Sequence, residues 1–340
     1  MHFVGVDLHK KVIRLCVIRV VRGKREIARR ARFACRDTAG IRAFFEELGR
    51  FRAVVEATAG YEWFFLLIED LADRLVLAHP KKLRVIAEST RKTDKIDAEV
   101  LAVFLALDMI PEAYRPSPRI RQYRVLARHR RWLSSRMTAI KAKLRNKLAH
   151  YNADIAELFT RRGQAYLADL ALNAADRFET VALQEQLMLF QRQLIDVDAE
   201  LRTFALTAPL AEREARAILA SIPLVGPVTI DVVLSELGDW RRFRGARAVV
   251  AFAGLAPGVR ESAGKRHDLS ITKEGSRLLR WALIQAAWRL KNQQPRWGRL
   301  YDQLFKKTGS KKKAIVAVAR HLLCVMFSML QSGRAYRLAA

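Results

Sequence analysis

Four carboxylates near the start of the chain carry the most chemistry. Asp7 and Glu56 close two short apolar runs, Phe3 to Leu8 and Phe51 to Val55, of the kind that forms buried strands. Asp94 and Asp97 stand three apart where a helical pattern begins, which puts both carboxylates on one helix face. Hard oxygen donors of this type hold Mg²⁺, and two such ions can activate a nucleophile and stabilise the leaving oxygen of a phosphodiester. Each acid alone has an ordinary alternative, as a turn residue or, for Asp94, as a helix N-cap. Together they stand out in a 340-residue chain with 62 Lys+Arg against 34 Asp+Glu, a net charge of +28. Lys92 and Lys95 add cations beside Asp94, as a phosphate-binding rim would. A fifth candidate is Ser262, in a small-residue loop flanked by Arg260, Lys265 and Arg266. Such a serine is usually a turn residue. As a nucleophile it needs a base or a metal, and only His267 lies nearby in sequence, so activation falls to the N-terminal carboxylates and their metal.

The elements around these residues give a mixed order. Val12 to Val21 and Ile27 to Phe33 extend the first run into an antiparallel meander turning at Gly23. Helical spacing follows from Ile41 to Leu48, then the Phe51 strand, a helix from Tyr61 to Leu71, a strand from Leu75 to Ala78 closed by Pro80, and a helix from about Asp94 to Leu107. Meander, helix, strand, helix, strand, helix is the order of a ribonuclease-H-like α/β domain, predicted here over residues 1–112, although other mixed α/β folds give similar orders.

Pro111, Pro116 and Pro118 mark the next boundary. Residues 113–208 read as a basic helical, coiled-coil region. Twelve Lys or Arg occur from Arg115 to Lys147, with no acid between Glu112 and Asp154. Arg121, Arg124, Arg128 and Arg131 fall on one helical stripe, and a stripe of one sign without counter-charge repels itself unless a polyanion lies against it. These four are therefore expected to contact a phosphate backbone, and neutralising Arg124 and Arg128 to flatten the salt dependence of binding by roughly two ion equivalents. A heptad track follows in Leu183, Leu187, Phe190, Leu194, Val197, Leu201 and Phe204. It fits a hairpin with the arginine-rich helix or a coiled coil between protomers equally well.

Residues 209–340 read as a mainly helical third region. Ile218 to Ile222, a turn through Pro223-Leu224-Val225-Gly226-Pro227 and Val228 to Leu237 resemble a helix-hairpin-helix element, which offers backbone N–H groups to a phosphate; ordinary helix packing is the alternative. The apolar run from Ala314 to Leu330 is interrupted by Arg320 and His321, which argues against a membrane span. No signal-peptide pattern opens the sequence, and Cys16, Cys35 and Cys324 form no C-x-x-C pair. Disulfide frameworks and structural zinc sites are thereby disfavoured, and a cytoplasmic location is expected.

Over nearly its whole length the chain resembles the DEDD-type insertion-sequence transposases of the IS one-ten family. The resemblance rests on Val4-Gly5-Val6-Asp7, Glu56-Ala57-Thr58-Ala59-Gly60-Tyr61-Glu62, Lys92-Thr93-Asp94-Lys95-Ile96-Asp97-Ala98, Ile222-Pro223 through Gly226-Pro227, and Gly254-Leu255-Ala256-Pro257 through Ser262-Ala263-Gly264-Lys265, in that order. It implies a RuvC-like domain, a coiled-coil link and a C-terminal transposase domain with an essential serine. Asp7, Glu56, Asp94 and Asp97 match the acidic, Mg²⁺-binding tetrad, and Ser262 matches the serine. The implied reaction is DNA strand exchange through a 5′-phosphoserine linkage, guided by a structured (bridge) RNA that pairs with donor and target DNA. It is carried out by a homo-oligomer, a dimer or tetramer, in which tetrad and serine can come from different protomers. Ala263 and Leu224 depart from the family pattern, standing where it often has glycine. Two other functions compete: a metal-only RuvC-like nuclease of the junction-resolvase type, in which water attacks and Ser262 is structural, and a non-enzymatic nucleic-acid scaffold.

Overall fold

Strands β1 (His2–Leu8), β2 (Val12–Val21) and β3 (Lys24–Ala34) pair antiparallel at the start of the chain. The last two are joined by Arg22-Gly23, both at positive φ (50° and 78°), as a tight two-residue hairpin turn requires. The structure is a computed structural model; it describes residues 1–57, 60–86, 94–262 and 265–337, with side chains left out at 84–86, 94–97, 259–262 and 265–268. Two more strands, β4 (Phe51–Glu56) and β5 (Arg74–Ala78), run parallel to β1 and complete a five-stranded sheet in the order β3-β2-β1-β4-β5. Helices α1 (Thr38–Leu48) and α2 (Tyr61–Ile68) make the crossovers that parallel strands demand. They bury Ile41, Phe44, Phe45, Phe64 and Phe65 against Val4, Val6 and Val55. Each fully buried ring contributes about 2 kcal/mol.

After β5 the chain begins a short helix, α3 (Pro80–Ile86), where sequence reasoning placed only a strand end; proline suits the first turn of a helix, where an N–H has no partner to lose. Helix α4 (Asp94–Ala106) covers the opposite sheet face. It lies so close to β1 that a Cβ built on Gly5 would sit 1.8 Å from the Ala98 carbonyl oxygen and 2.5 Å from the Ala102 nitrogen. Residues 111–113 then return beside β5, and Arg115 pairs with Glu62 at 2.6 Å and Glu69 at 3.0 Å. This first compact unit spans Met1–Arg115.

The second unit spans Pro116–Ala340. Ser117 caps α5 (Pro118–Ala149) by accepting from the Ile120 N–H. After α6 (Arg161–Asp169), α7 (Ala174–Leu206) runs back antiparallel to α5: Lys147 pairs with Asp176, and Arg130 with Asp198. Leu183, Leu187, Val197 and Leu201 are buried within this chain, so the hairpin takes up the heptad seam that the sequence left open. The rest is α8 (Leu210–Ala220), α9 (Pro227–Leu237), α10 (Ala246–Phe252), a two-stranded hairpin β6 (Pro257–Ser262) and β7 (Lys265–Ile271), then α11 (Arg277–Gln293), α12 (Pro295–Thr308) and α13 (Lys311–Ser332). Helix α13 has the length and composition to cross a membrane, yet it is a core helix of this unit, with Val318, Leu322, Leu323 and Met326 fully buried.

The Gly5 contact generates a direct test. Gly5→Ala should destabilise the first unit by on the order of 3 kcal/mol, because the obstacle is rigid backbone. Urea unfolding followed by tryptophan fluorescence reads the loss; a change within experimental error would show that α4 yields easily.

Candidate active site

Asp7 and Glu56 stand side by side. The parallel register of β1 and β4 ends at Val6–Val55, so the two acids occupy the next row and point to one face. That face is the one covered by α4: Val4 and Val6 pack towards α1 and α2, whereas Phe3 and Val54 pack towards α4. The direction of α4 follows from two ion pairs. Glu99 binds Arg30, which shares a row with Cys16 and Gly5, and Asp108 lies 4.0 Å from Arg74, in the row of Arg52 and Phe3. The helix therefore runs antiparallel to β1, and its first turn, with Asp94 and Asp97, sits at the strand end that carries Asp7 and Glu56. The side chains of Asp94 and Asp97 and the whole of Lys92 lie outside the described residues.

The Asp7 side chain is 13% exposed, and His9 Nε2 lies 3.0 Å from its Oδ2. Sequence reasoning missed His9, although Asp7-Leu8-His9 places it two residues on, across a strand end. A cleft of about 460 Å³ beside it is lined by His9, Lys10, Lys11, Arg14 and Arg32, a cationic wall beside an acidic pair. Oxygen donors paired in this way suit a hard divalent cation, and the cations suit a phosphodiester.

Ser262 was expected in a loop. It ends β6 instead, opposite Lys265 on β7, because residues 257–262 pair with residues 265–271. The side chains of Arg260, Ser262, Lys265 and Arg266 lie outside the described residues. The base of this hairpin is tightly built. Gly254, at φ 66°, leaves α10 where a Cβ would meet the Glu274 backbone at 2.7 Å, and a Cβ on Gly275 would meet the Phe252 carbonyl at 2.0 Å. Arg280, 9% exposed, donates to the carbonyls of Ala253 and Gly275 at 3.0 and 3.2 Å, tying both ends of the base together. Its role leaves no sequence signal, since it depends on the Ala253 carbonyl 27 residues back along the chain.

The arginine stripe of α5 finds its partners inside the second unit, which corrects the missing counter-charge inferred from sequence. Arg124 donates to the carbonyls of Ser235 and Glu236, both at 2.9 Å, closing the C-terminal end of α9. Arg128 forms a two-pronged pair with Glu236, whose side chain is 3% exposed. Arg121 donates to the Pro116 carbonyl, and the Arg131 guanidinium, its pKa lowered by burial, lies 4.1 Å from the Trp281 ring centroid. Beside them the Tyr123 hydroxyl donates to Asp231 at 2.7 Å, and burial next to that carboxylate holds it well above the usual phenol range. The stripe lacks acids only locally. The counter-charge of Arg128, Glu236, arrives from 108 residues away.

The turn before α9 keeps a left-handed residue where the family pattern has glycine: Leu224 adopts φ 65°. The α9 N-terminus opens on a cleft of about 250 Å³ lined by Arg130, Gly226, Pro227, Gln285 and Arg289.

Comparison with known proteins gives two matches in sequence order. Residues 4–153 match the DEDD transposase model of the IS110 group, and residues 216–302 match the transposase IS116/IS110/IS902 family model. The chain belongs to the IS110 family of transposases. It is 28% identical to a putative transposase, y4rJ, of Sinorhizobium fredii, over 88% of this chain and 85% of that one. It is 25% identical to the transposase for insertion sequence element IS1111A of Coxiella burnetii, over 99% of this chain and 91% of that one. A shorter match, 30% identical over 35% of this chain and 38% of the relative, is to the pilin gene-inverting protein of Moraxella bovis. The IS110-type transposase thus acts on DNA. Its first matched stretch contains the acidic strand ends, and the second contains the Ser262 hairpin.

The placement of Arg128 yields a prediction. Arg128→Ala in this transposase should cost about 2 kcal/mol, less than a fully buried pair because Arg128 is half exposed, by leaving the Glu236 carboxylate without its partner. A thermal melt measures it. Full stability combined with a flattened salt dependence of DNA binding would instead return the stripe to the nucleic acid.

Proposed function

We propose that this transposase exchanges DNA strands at the ends of its insertion sequence, guided by a structured RNA, with Ser262 as nucleophile and with Asp7, Glu56, Asp94 and Asp97 holding Mg²⁺. The observation that carries the reading is the shared row of Asp7 and Glu56, with the first turn of α4 at the same strand end. The strand order β3-β2-β1-β4-β5, with helices on both faces, supports a RuvC-like assignment for this unit.

Bound Mg²⁺ would neutralise phosphate charge and favour ionisation of an attacking hydroxyl. Asp7 and Glu56, fixed on adjacent strands, orient the donor oxygens; His9 holds one Asp7 oxygen in place. The Ser262 oxygen forms a bond to phosphorus and the P–O3′ bond breaks. The hydroxyl proton passes to a carboxylate, and the departing 3′ oxygen takes up a proton. The resulting 5′-phosphoserine keeps the phosphodiester energy for rejoining to a new 3′-OH. Lys92, Arg260, Lys265 and Arg266 are assigned to the DNA backbone. Arg121, Arg124, Arg128 and Arg131 are assigned a structural part, on the contacts given above.

A homo-oligomer fits a second track on α7. Phe178, Val181, Met188, Ile195 and Leu206 follow a heptad spacing offset from the buried seam, and Phe178 and Leu206 are 78% and 79% exposed. An antiparallel pairing of two copies with Val181 opposite Leu206 would set Glu185 of one opposite Arg202 of the next, whereas parallel pairing in register would set like charges together. The guide RNA is supported by the net charge of +28 and by the family resemblance.

Two experiments test this reading. With end-labelled element DNA and Mg²⁺, wild type should form a protease-sensitive covalent adduct, Ser262→Ala none, and Asp7→Asn neither adduct nor cleavage. Cleavage retained by Ser262→Ala would replace the serine mechanism with attack by water. Expression with and without the element's flanking non-coding DNA, followed by sequencing of bound RNA, should recover one defined RNA only in the first case.

A further inference from the structure

The chain's last acid is Asp302; from residue 303 to the end there are eight Lys or Arg and no Asp or Glu. These cations sit mainly at the two ends of the α12–α13 hairpin, beyond the stretch matched by the family model, which stops at residue 302.

One end is a lysine turn. Lys306 and Lys307 close α12, Gly309 turns the chain at φ 63°, and Lys311, Lys312 and Lys313 fill the first turn of α13. All five lysines are exposed, and none forms an ion pair among the described residues. Lysines suit the C-terminal end of α12. Three of them at the N-terminal end of α13 oppose its dipole, whose positive pole favours anions, and they crowd like charges within one turn. A fold alone has no use for that arrangement; a polyanion reverses its sign.

The other end is an arginine cleft. About 370 Å³ of space is lined by Arg296, Arg334 and Arg337 together with Ser328, Ser332 and Tyr336, with no acid in the wall. The wall is held in place: the Trp297 indole N–H donates to the Tyr336 hydroxyl at 3.2 Å, and the Tyr336 N–H donates to Ser221 Oγ at 2.8 Å. Guanidinium groups gathered beside hydroxyl donors suit phosphate oxygens.

Helix α13 has 22 residues, so the two ends lie about 33 Å apart, close to the repeat of about 34 Å at which a duplex presents the same strand again. We propose that the α12–α13 hairpin grips the phosphodiester backbone of duplex DNA at both ends, through the lysine turn and the arginine cleft. This rests on the reading that the transposase acts on DNA, and it names a surface whose cations, Arg296 apart, lie beyond the matched family region.

The test uses the full-length protein and fluorescence anisotropy, with a duplex of about 30 base pairs (roughly three helical turns) and an RNA hairpin as separate labelled probes. Salt is varied between about 0.05 and 0.2 M. Lys311→Gln/Lys312→Gln/Lys313→Gln should weaken duplex binding at least tenfold at the lower salt and flatten the slope of log K against log salt by roughly two to three. Arg334→Gln/Arg337→Gln should flatten it by roughly two. The triple variant should melt at the same temperature as wild type or higher, since cations have left a positive helix end; this separates lost contacts from lost folding. Unchanged slopes in both variants, with wild type still binding, would overturn this surface alone. A loss confined to the RNA probe would overturn its assignment to DNA. Absence of duplex binding by wild type would overturn the DNA reading on which it rests.

Discussion

The contact between α4 and β1 at Gly5 is the constraint on which the acidic site depends. Backbone meets backbone there, with no room for a methyl group, and that closeness fixes both the height of α4 above the sheet and its register along β1. Because α4 runs against β1, the same contact brings the first turn of the helix to the strand end where Asp7 and Glu56 share a row. Neighbouring carboxylates repel one another, so Asp7 and Glu56 on adjacent strands must be held in their shared row by the rest of the fold. Here the holding is done by aromatic packing of α1 and α2 on the far sheet face and by a glycine on the near face.

The second unit solves a related problem with opposite charge. Its long α5 is basic along much of its length, yet it packs against α7 and α9 because acids from those helices meet it: Asp198, Asp176 and Glu179 from α7 and Glu236 from α9. The excess cations are left for places where no acid follows, notably both ends of the α12–α13 hairpin. Arg280 belongs to the same logic at smaller scale, as a buried cation satisfied by carbonyls and used to brace the hairpin that carries Ser262.

The N-terminal fold was largely legible in the sequence because its signals are local. The β-branched runs, the Gly23 turn and the apolar spacing of the helices each reflect a few neighbouring residues, and the observed strands and main helices follow them. Pairing between distant segments was less legible. The Arg121 to Arg131 stripe looked unbalanced because Glu236 lies about a hundred residues away, and the heptad seam of α7 suited the arginine-rich helix and a second protomer equally well. Ser262 was read into a loop because Gly258, Ala263 and Gly264 interrupt, in the sequence, the alternation that residues 257–262 and 265–271 use as strands. His9 was passed over although it stands two residues from Asp7, and Arg280 left no signal because its Ala253 partner lies 27 residues away.

The central claim is that Asp7 and Glu56 help to hold a divalent ion, and Mn²⁺ binding followed by electron paramagnetic resonance tests it most directly, since it needs neither DNA nor guide. Wild-type protein should bind Mn²⁺ saturably and in competition with Mg²⁺, and Asp7→Asn and Glu56→Gln, shown by circular dichroism to be folded, should each lose that binding. Folded variants that bind Mn²⁺ as tightly as wild type would contradict the account.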